Sequence, residues 1–111
     1  MKLWIDDVRP APEGYIWCKS VDLTKKVITC WEEERIEGKE ELFDIYGHSI
    51  ELIDIDHDAG DFAQYGGDYI KLLDWLEETG RNYPIRIHSM NPVGVANMRT
   101  IIERNGWEEV R

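Results

Sequence analysis

The stretch Ile53-Asp54-Ile55-Asp56-His57-Asp58 carries three carboxylates and an imidazole within six residues, directly after a mostly apolar stretch. Clustered acids at the end of a buried strand repel one another in a low-dielectric site, so such a cluster is best explained by a cation held among them. Carboxylate oxygens suit magnesium or manganese, which also take phosphate oxygens as ligands. Neighbouring imidazoles widen the choice of metal to manganese, zinc or iron, and they titrate near neutrality, where general acid–base work is done. Two other stretches carry matching groups. Asp6-Asp7 follows the short apolar run Leu3-Trp4-Ile5 and is followed by Arg9. His88-Ser89 ends another short apolar run and leads into Asn91-Pro92-Val93-Gly94.

The elements that would position these groups can be read from the pattern. Lys2 to Ile5 is a short strand ending in Asp6-Asp7. Pro10, Pro12 and Gly14 rule out a helix interior in the next stretch. Tyr15 to Lys19 is a second strand, and Ser20 is a suitable N-cap. The helix it starts has Val21, Thr24, Val27, Ile28 and Trp31 near one face and runs to about Arg35. Glu37 to Ser49 is charged, then aromatic, and reads as a short packed helix or loop insertion. Ile50 to Asp56 is the third strand. Gly60, Gly66 and Gly67 mark a loop, Asp68 caps a helix through Leu76, and Gly80 ends it. Ile85 to His88 is the fourth strand. Asn91-Pro92 is a cap followed by a first-position proline, with Met90 set to staple onto Val95. Asn105-Gly106 closes that helix, and Trp107 to Val110 is a last strand.

Strands alternating with helices predict one α/β domain over residues 1–111, with a mostly parallel sheet of about five strands covered on both faces. The connection from the first strand to the second is too short for a packed helix. It must cross extended, or the second strand runs antiparallel. In such sheets ligands bind beyond the carboxyl ends of the strands. Three strands would deliver their polar residues to that edge. The metal candidates are Asp6, Asp7, Asp56 and Asp58. Asp56, His57 and His88 are the catalytic candidates, and Arg9, Ser89 and Asn91 the phosphate-binding ones. Asp54 faces the same way as Asp56 but lies deeper in the strand, and it reads as structural. A cation, a guanidinium, imidazoles and a helix N-terminus together point to phosphoryl-transfer or phosphoester-cleavage chemistry.

The totals narrow the partners. The formal net charge is −10 over 111 residues, with no basic stripe of the kind an extended nucleic-acid surface needs. A nucleic acid would be met only at an end or as a small fragment. Hydrophobic content of 42% allows one modest core, and five Trp with five Tyr make an aromatic-rich core or pocket the expectation. Cys18 and Cys30 match no zinc or redox spacing and read as free thiols of a reducing cytosol. No signal-peptide pattern is present, and no apolar run approaches the about 18 residues of a membrane span. The expected location is the cytoplasm, with no membrane partner.

An Asp-Asp pair after the first strand, an aspartate ending the third and a hydroxyl residue ending the fourth resemble the receiver domain of response regulators. The strings LWIDDVRPAPEGYIW, DIDHDAG and IHSMNPVG closely resemble one divergent branch, the cyclic-phosphate-processing receiver family. The resemblance spans the chain apart from an insertion over residues 34–49. It implies a three-layer flavodoxin-like fold with strand order 2-1-3-4-5 and a reduced or missing first crossover helix. It also implies metal ligands at Asp6 and Asp7, the place of the phospho-accepting aspartate at Asp56, and a phosphate-contacting hydroxyl at Ser89. One departure matters. Ordinary receivers carry a lysine at the end of the fifth strand, whereas this chain ends Glu108-Glu109-Val110-Arg111.

A receiver-like domain without that lysine, and with His57 and His88 added, resembles a hydrolase more than a switch. The expected function is therefore a phosphoesterase dependent on a divalent metal, magnesium or manganese. It would act on a cyclic phosphate such as a 2′,3′-cyclic nucleotide or RNA end, as in RNA repair. Asp6, Asp7, Asp56 and Asp58 would hold the cation. A water or Asp56 would be the nucleophile, His57 or His88 the acid, and Arg9, Ser89 and Asn91 the phosphate contacts. The alternative is a signalling or binding module that accepts a phosphoryl group on Asp56 or binds metal or nucleotide without turnover.

Overall fold

A computed structural model describes residues 1–33 and 49–111. Strands β1 (Lys2–Ile5), β2 (Tyr15–Cys18), β3 (Leu52–Ile55) and β4 (Ile85–Ile87) alternate with helices α1 (Val21–Glu33), α2 (Ile70–Glu78) and α3 (Pro92–Asn105). A short 3-10 helix, Gly60–Gln64, follows β3. The strands form one sheet in the order β2-β1-β3-β4, and every pairing is parallel. This is the flavodoxin-like order. Of the two readings of the first connection, the extended crossing is the one observed: residues 6–14 contain no helix, and β2 runs parallel to β1. The fifth strand is reduced to a single parallel bridge between Ile85 and Glu109.

Alternation along the strands divides the sheet into two unlike faces. Leu3, Ile5, Ile53, Ile55 and Ile85 join one cluster with Ile28 and Trp31 of α1, Leu72, Leu73 and Leu76 of α2, and Met98, Ile101 and Ile102 of α3. All three helices therefore pack on that face. Of the two helical layers of a three-layer fold, the described residues contain this one. The other face carries Trp4 paired in register with Asp54, and Asp54 with Arg86. The chemistry sits at the carboxyl edge of this second face. Aromatic side chains serve both sides: Tyr69 is fully buried in the core, while Trp4 lies beside the polar cluster described below.

Local signals explain the helix starts. The Ser20 hydroxyl accepts the Leu23 N–H at 3.1 Å, capping α1. The Asn91 side chain accepts the Gly94 N–H at 3.0 Å, with Pro92 at the first position of α3; such a cap contributes about 1 kcal/mol. Gly106 ends α3 in the left-handed region, φ 67°, and Gly80 follows α2 at φ 68°. Two local expectations are corrected. The Asp68 carboxylate does not cap α2; it accepts the Ala59 N–H at 3.0 Å and so ties the loop after β3 to the helix start. Met90 does not fold onto Val95 as a staple, because it stands 82% exposed. The stretch expected as a packed helix or loop over residues 37–49, and the insertion over 34–49, lie outside the described residues except for Ser49. No helix among the described residues is long and apolar enough to cross a membrane.

Candidate functional site

The sheet ladder brings the chemistry to one edge. The Asp56 N–H donates to the Ile5 carbonyl at 2.9 Å and the His88 N–H to the Ile55 carbonyl at 3.0 Å. Asp6, Asp56 and His88, each one step past a strand end, are therefore held side by side. Asp6, Asp7 and Asp56 can each turn one carboxylate oxygen into a common space, these atoms lying within 4.8 Å of one another. Asp6 is fully buried. Its Oδ1 accepts the N–H groups of Val8 at 3.0 Å and Arg9 at 2.9 Å, in the turn that leaves β1. Its Oδ2 meets His88 Nε2 at 2.9 Å. Burial pushes the Asp6 carboxyl up, but these donors outweigh it and hold it below its ordinary value. Asp7 goes the other way: burial and the charges of Asp6 and Asp56 raise it, despite a backbone hydrogen bond that lowers it. Gly60 makes room for Asp7. A Cβ there would fall 2.4 Å from Asp7 Oδ2, and its backbone is left-handed at φ 54°.

Beside the acids lies an open cleft of about 320 Å³ lined by Arg9, Asp56, Asp58, Ser89, Met90 and Asn91. Every residue expected to contact phosphate is on its wall. The Arg9 guanidinium donates to the His88 carbonyl at 3.3 Å and makes no ion pair among the described residues. Ser89 Oγ accepts the Asn91 N–H at 3.1 Å and keeps its own proton to donate. The helix N-terminus behind them is mostly spent on its own cap: Gly94 N–H serves Asn91, and Pro92 has no N–H. The cleft therefore depends on side chains more than on the helix end. Asp56 alone belongs to both the acid group and the cleft.

The sequence model of the cyclic-phosphate processing receiver domain matches residues 1–104. The chain belongs to this family. No curated protein and no solved structure matches it. Glu109 bridges to Ile85 beside β4, and its carboxylate takes Arg99 at 3.0 Å and Arg111 at 3.3 Å.

Two expected site residues are placed differently from the expectation. Asp58 lies outside the acid group. It is 61% exposed, and its Oδ1 meets His57 Nδ1 at 2.8 Å and accepts from Asn91 Nδ2 at 3.4 Å. The strand has ended by then, so the rule that residues two apart share a face no longer holds. His88 is in the cluster but not placed as a free acid. Nε2 is on Asp6, and Nδ1 meets Asp54 Oδ1 at 2.7 Å. The ring lies flat on the Trp4 indole, centroids 3.9 Å apart and planes within 3°. Burial pulls its pKa down, but the hydrogen bonds and charges of Asp54 and Asp6 outweigh that and raise it above its ordinary value. His57 uses only Nδ1, on Asp58, among the described residues, and its ring packs directly over Gly94.

Sequence reasoning missed Asp54 and Trp4. Asp54 is 2% exposed and holds His88. The available signal was an acid in the middle of an otherwise apolar strand, two residues from the site.

Proposed function

We propose that this domain hydrolyses a cyclic phosphodiester, such as a 2′,3′-cyclic nucleotide or RNA end, with a divalent cation held by Asp6, Asp7 and Asp56. The observation that carries the reading is the position of Asp56, shared by the acid group and the anion-accepting cleft. The donor set fits a hard cation. Three carboxylates converge, and one of them, Asp7, is raised by burial and by the charges of the other two. Such an ion would neutralise the acids, draw phosphate oxygens toward them and favour charge build-up on phosphorus-bound oxygen.

The chain's own residues do the rest. Arg9 supplies the one guanidinium on the cleft wall, and the Ser89 hydroxyl and Asn91 amide supply directed donors to the phosphate oxygens. Asp56 faces the phosphate with the oxygen not bonded to the His57 N–H, and a water held there gives that oxygen a proton as it attacks phosphorus and one ester bond breaks. His57, with Nδ1 on Asp58, protonates the departing sugar oxygen from Nε2, and the product is a phosphomonoester. His88 holds Asp6 and takes no part in that proton transfer.

The test is turnover. Purified protein with 2′,3′-cyclic AMP or GMP and Mn²⁺ or Mg²⁺ should open the ring, and Asp56→Asn should not. Full activity in Asp56→Asn, or none in the wild type across several metals and cyclic substrates, would refute the proposal.

A further inference from the structure

Asp54 is a buried carboxylate in β3, an inner strand of the sheet, with His88 as its one side-chain partner among the described residues. An ion pair buried this way is weak support for stability, since a well-packed apolar side chain does as well or better. Its position suggests another use. Through His88 it reaches Asp6, and the same ring is pinned from its face by Trp4, whose Nε1–H is tied to the Arg9 carbonyl at 2.9 Å.

We infer that Asp54 is a positioning residue for the cation site: acting through His88, it fixes the one oxygen direction that Asp6 has left for a metal ion. The inference rests on the reading of Asp6, Asp7 and Asp56 as that site. A carboxylate offers about four lone-pair positions. Asp6 spends two on the Val8 and Arg9 N–H groups and one on His88. The remaining direction is set only if all three donors stay in place. The two backbone donors come with the turn after β1. The third depends on the orientation of a ring just past the end of a different strand, β4, reaching back across β3. Asp54 accepts from the far nitrogen of that ring and Trp4 covers its face, so the ring can neither flip nor swing toward the cleft.

The test is Mn²⁺ affinity by titration calorimetry, well below the melting temperature, on four proteins. The wild type should bind. Asp54→Asn, of the same shape, should fold and bind about 10-fold or more weakly, the usual effect of losing an outer partner of a ligand. His88→Gln should lose a similar factor, and the double variant should be no weaker than the weaker single, because Asp54 acts only through the ring. Asp61→Asn, an exposed acid after β3, reports what loss of a nearby charge does alone and should stay within about twofold of wild type. In the wild type, nitrogen-edited NMR should show both His88 ring N–H protons, and Asp54→Asn should alter the Nδ1 signal. Wild-type affinity in Asp54→Asn, an equal loss in Asp61→Asn, or additive losses in the double variant would overturn the inference. Should Asp54→Asn fail to fold, wild-type affinity in His88→Gln would overturn it. A wild type that binds neither Mn²⁺ nor Mg²⁺ would remove the cation site itself, and the inference with it.

Discussion

Gly94 is the third residue of α3, a place where alanine is normally the better helix former by up to about 1 kcal/mol. Here the opposite outcome is expected. A Cβ on Gly94 would lie 2.4 Å from Cγ, 2.5 Å from Cδ2 and 2.8 Å from Nδ1 of His57. The ring cannot simply yield. Its Nδ1 is on Asp58, its backbone N–H on Asp56 Oδ1 at 2.7 Å, and its carbonyl accepts the Tyr69 N–H at 3.0 Å. Overpacking of this kind costs about 1–3 kcal/mol. Set against the propensity gain, Gly94→Ala should destabilise by about 1–2 kcal/mol, or about 5–10 °C in Tm for a domain of this size. In a His57→Ala background the obstacle is gone, and the same substitution should stabilise by about 0.5 kcal/mol. Urea denaturation of the four proteins gives the coupling energy, expected near 2 kcal/mol. Gly94→Ala that stabilises the wild-type background, or coupling near zero, would refute the packing of His57 on α3.

Other outcomes follow from the same geometry. Asp7→Asn should raise the stability of the metal-free protein while weakening Mn²⁺ binding by at least about tenfold, checked by melting and by calorimetry. The sign follows from the raised folded pKa of Asp7. Its ionised form is the costly one, so the cost is present at neutral pH and fades as pH falls through that value. His88 in the metal-free protein should remain charged above pH 6.5 by NMR. Its contribution to stability should be complete below the unfolded value and lost as pH rises through the raised folded one. Asn91→Ala should cost about 1 kcal/mol from the lost cap and weaken phosphate binding in the cleft, read by denaturation and by phosphate titration. Cys18, fully buried with its thiol pushed up to about 11, should resist iodoacetamide at pH 8 in the native protein, checked by intact mass.

How far the sequence carries depends on which physical rule governs each residue. Strand ends are local: short, mostly apolar runs stopping at Asp6, Asp56 and His88 placed those groups on one edge, and the parallel sheet put them side by side. The Asn91-Pro92 cap was equally local. What was not legible depends on register and on where a rule stops. Asp54 looked merely deeper in its strand, because nothing in one sequence reveals that His88 leans back over β3 to meet it. Asp58 looked like a partner of Asp56 because both follow the same strand, but β3 ends at Ile55 and Asp58 meets His57 and Asn91 instead. Asp68 is a good cap by composition, yet its carboxylate is used on the backbone of Ala59. The direction of β2 was open for the same reason, since an extended crossing leaves no periodicity to read.

In the proposed function, Asp6, Asp7 and Asp56 hold a divalent cation next to a phosphate in the Arg9–Ser89–Asn91 cleft. A crystal soaked in Mn²⁺ and phosphate, measured at a wavelength where manganese scatters anomalously, tests it most directly. One strong anomalous peak is expected, bonded to oxygens of those three acids, with phosphate between the ion and Arg9. A peak centred on Asp58 and His57, or no peak near Asp56 at millimolar Mn²⁺, would contradict it.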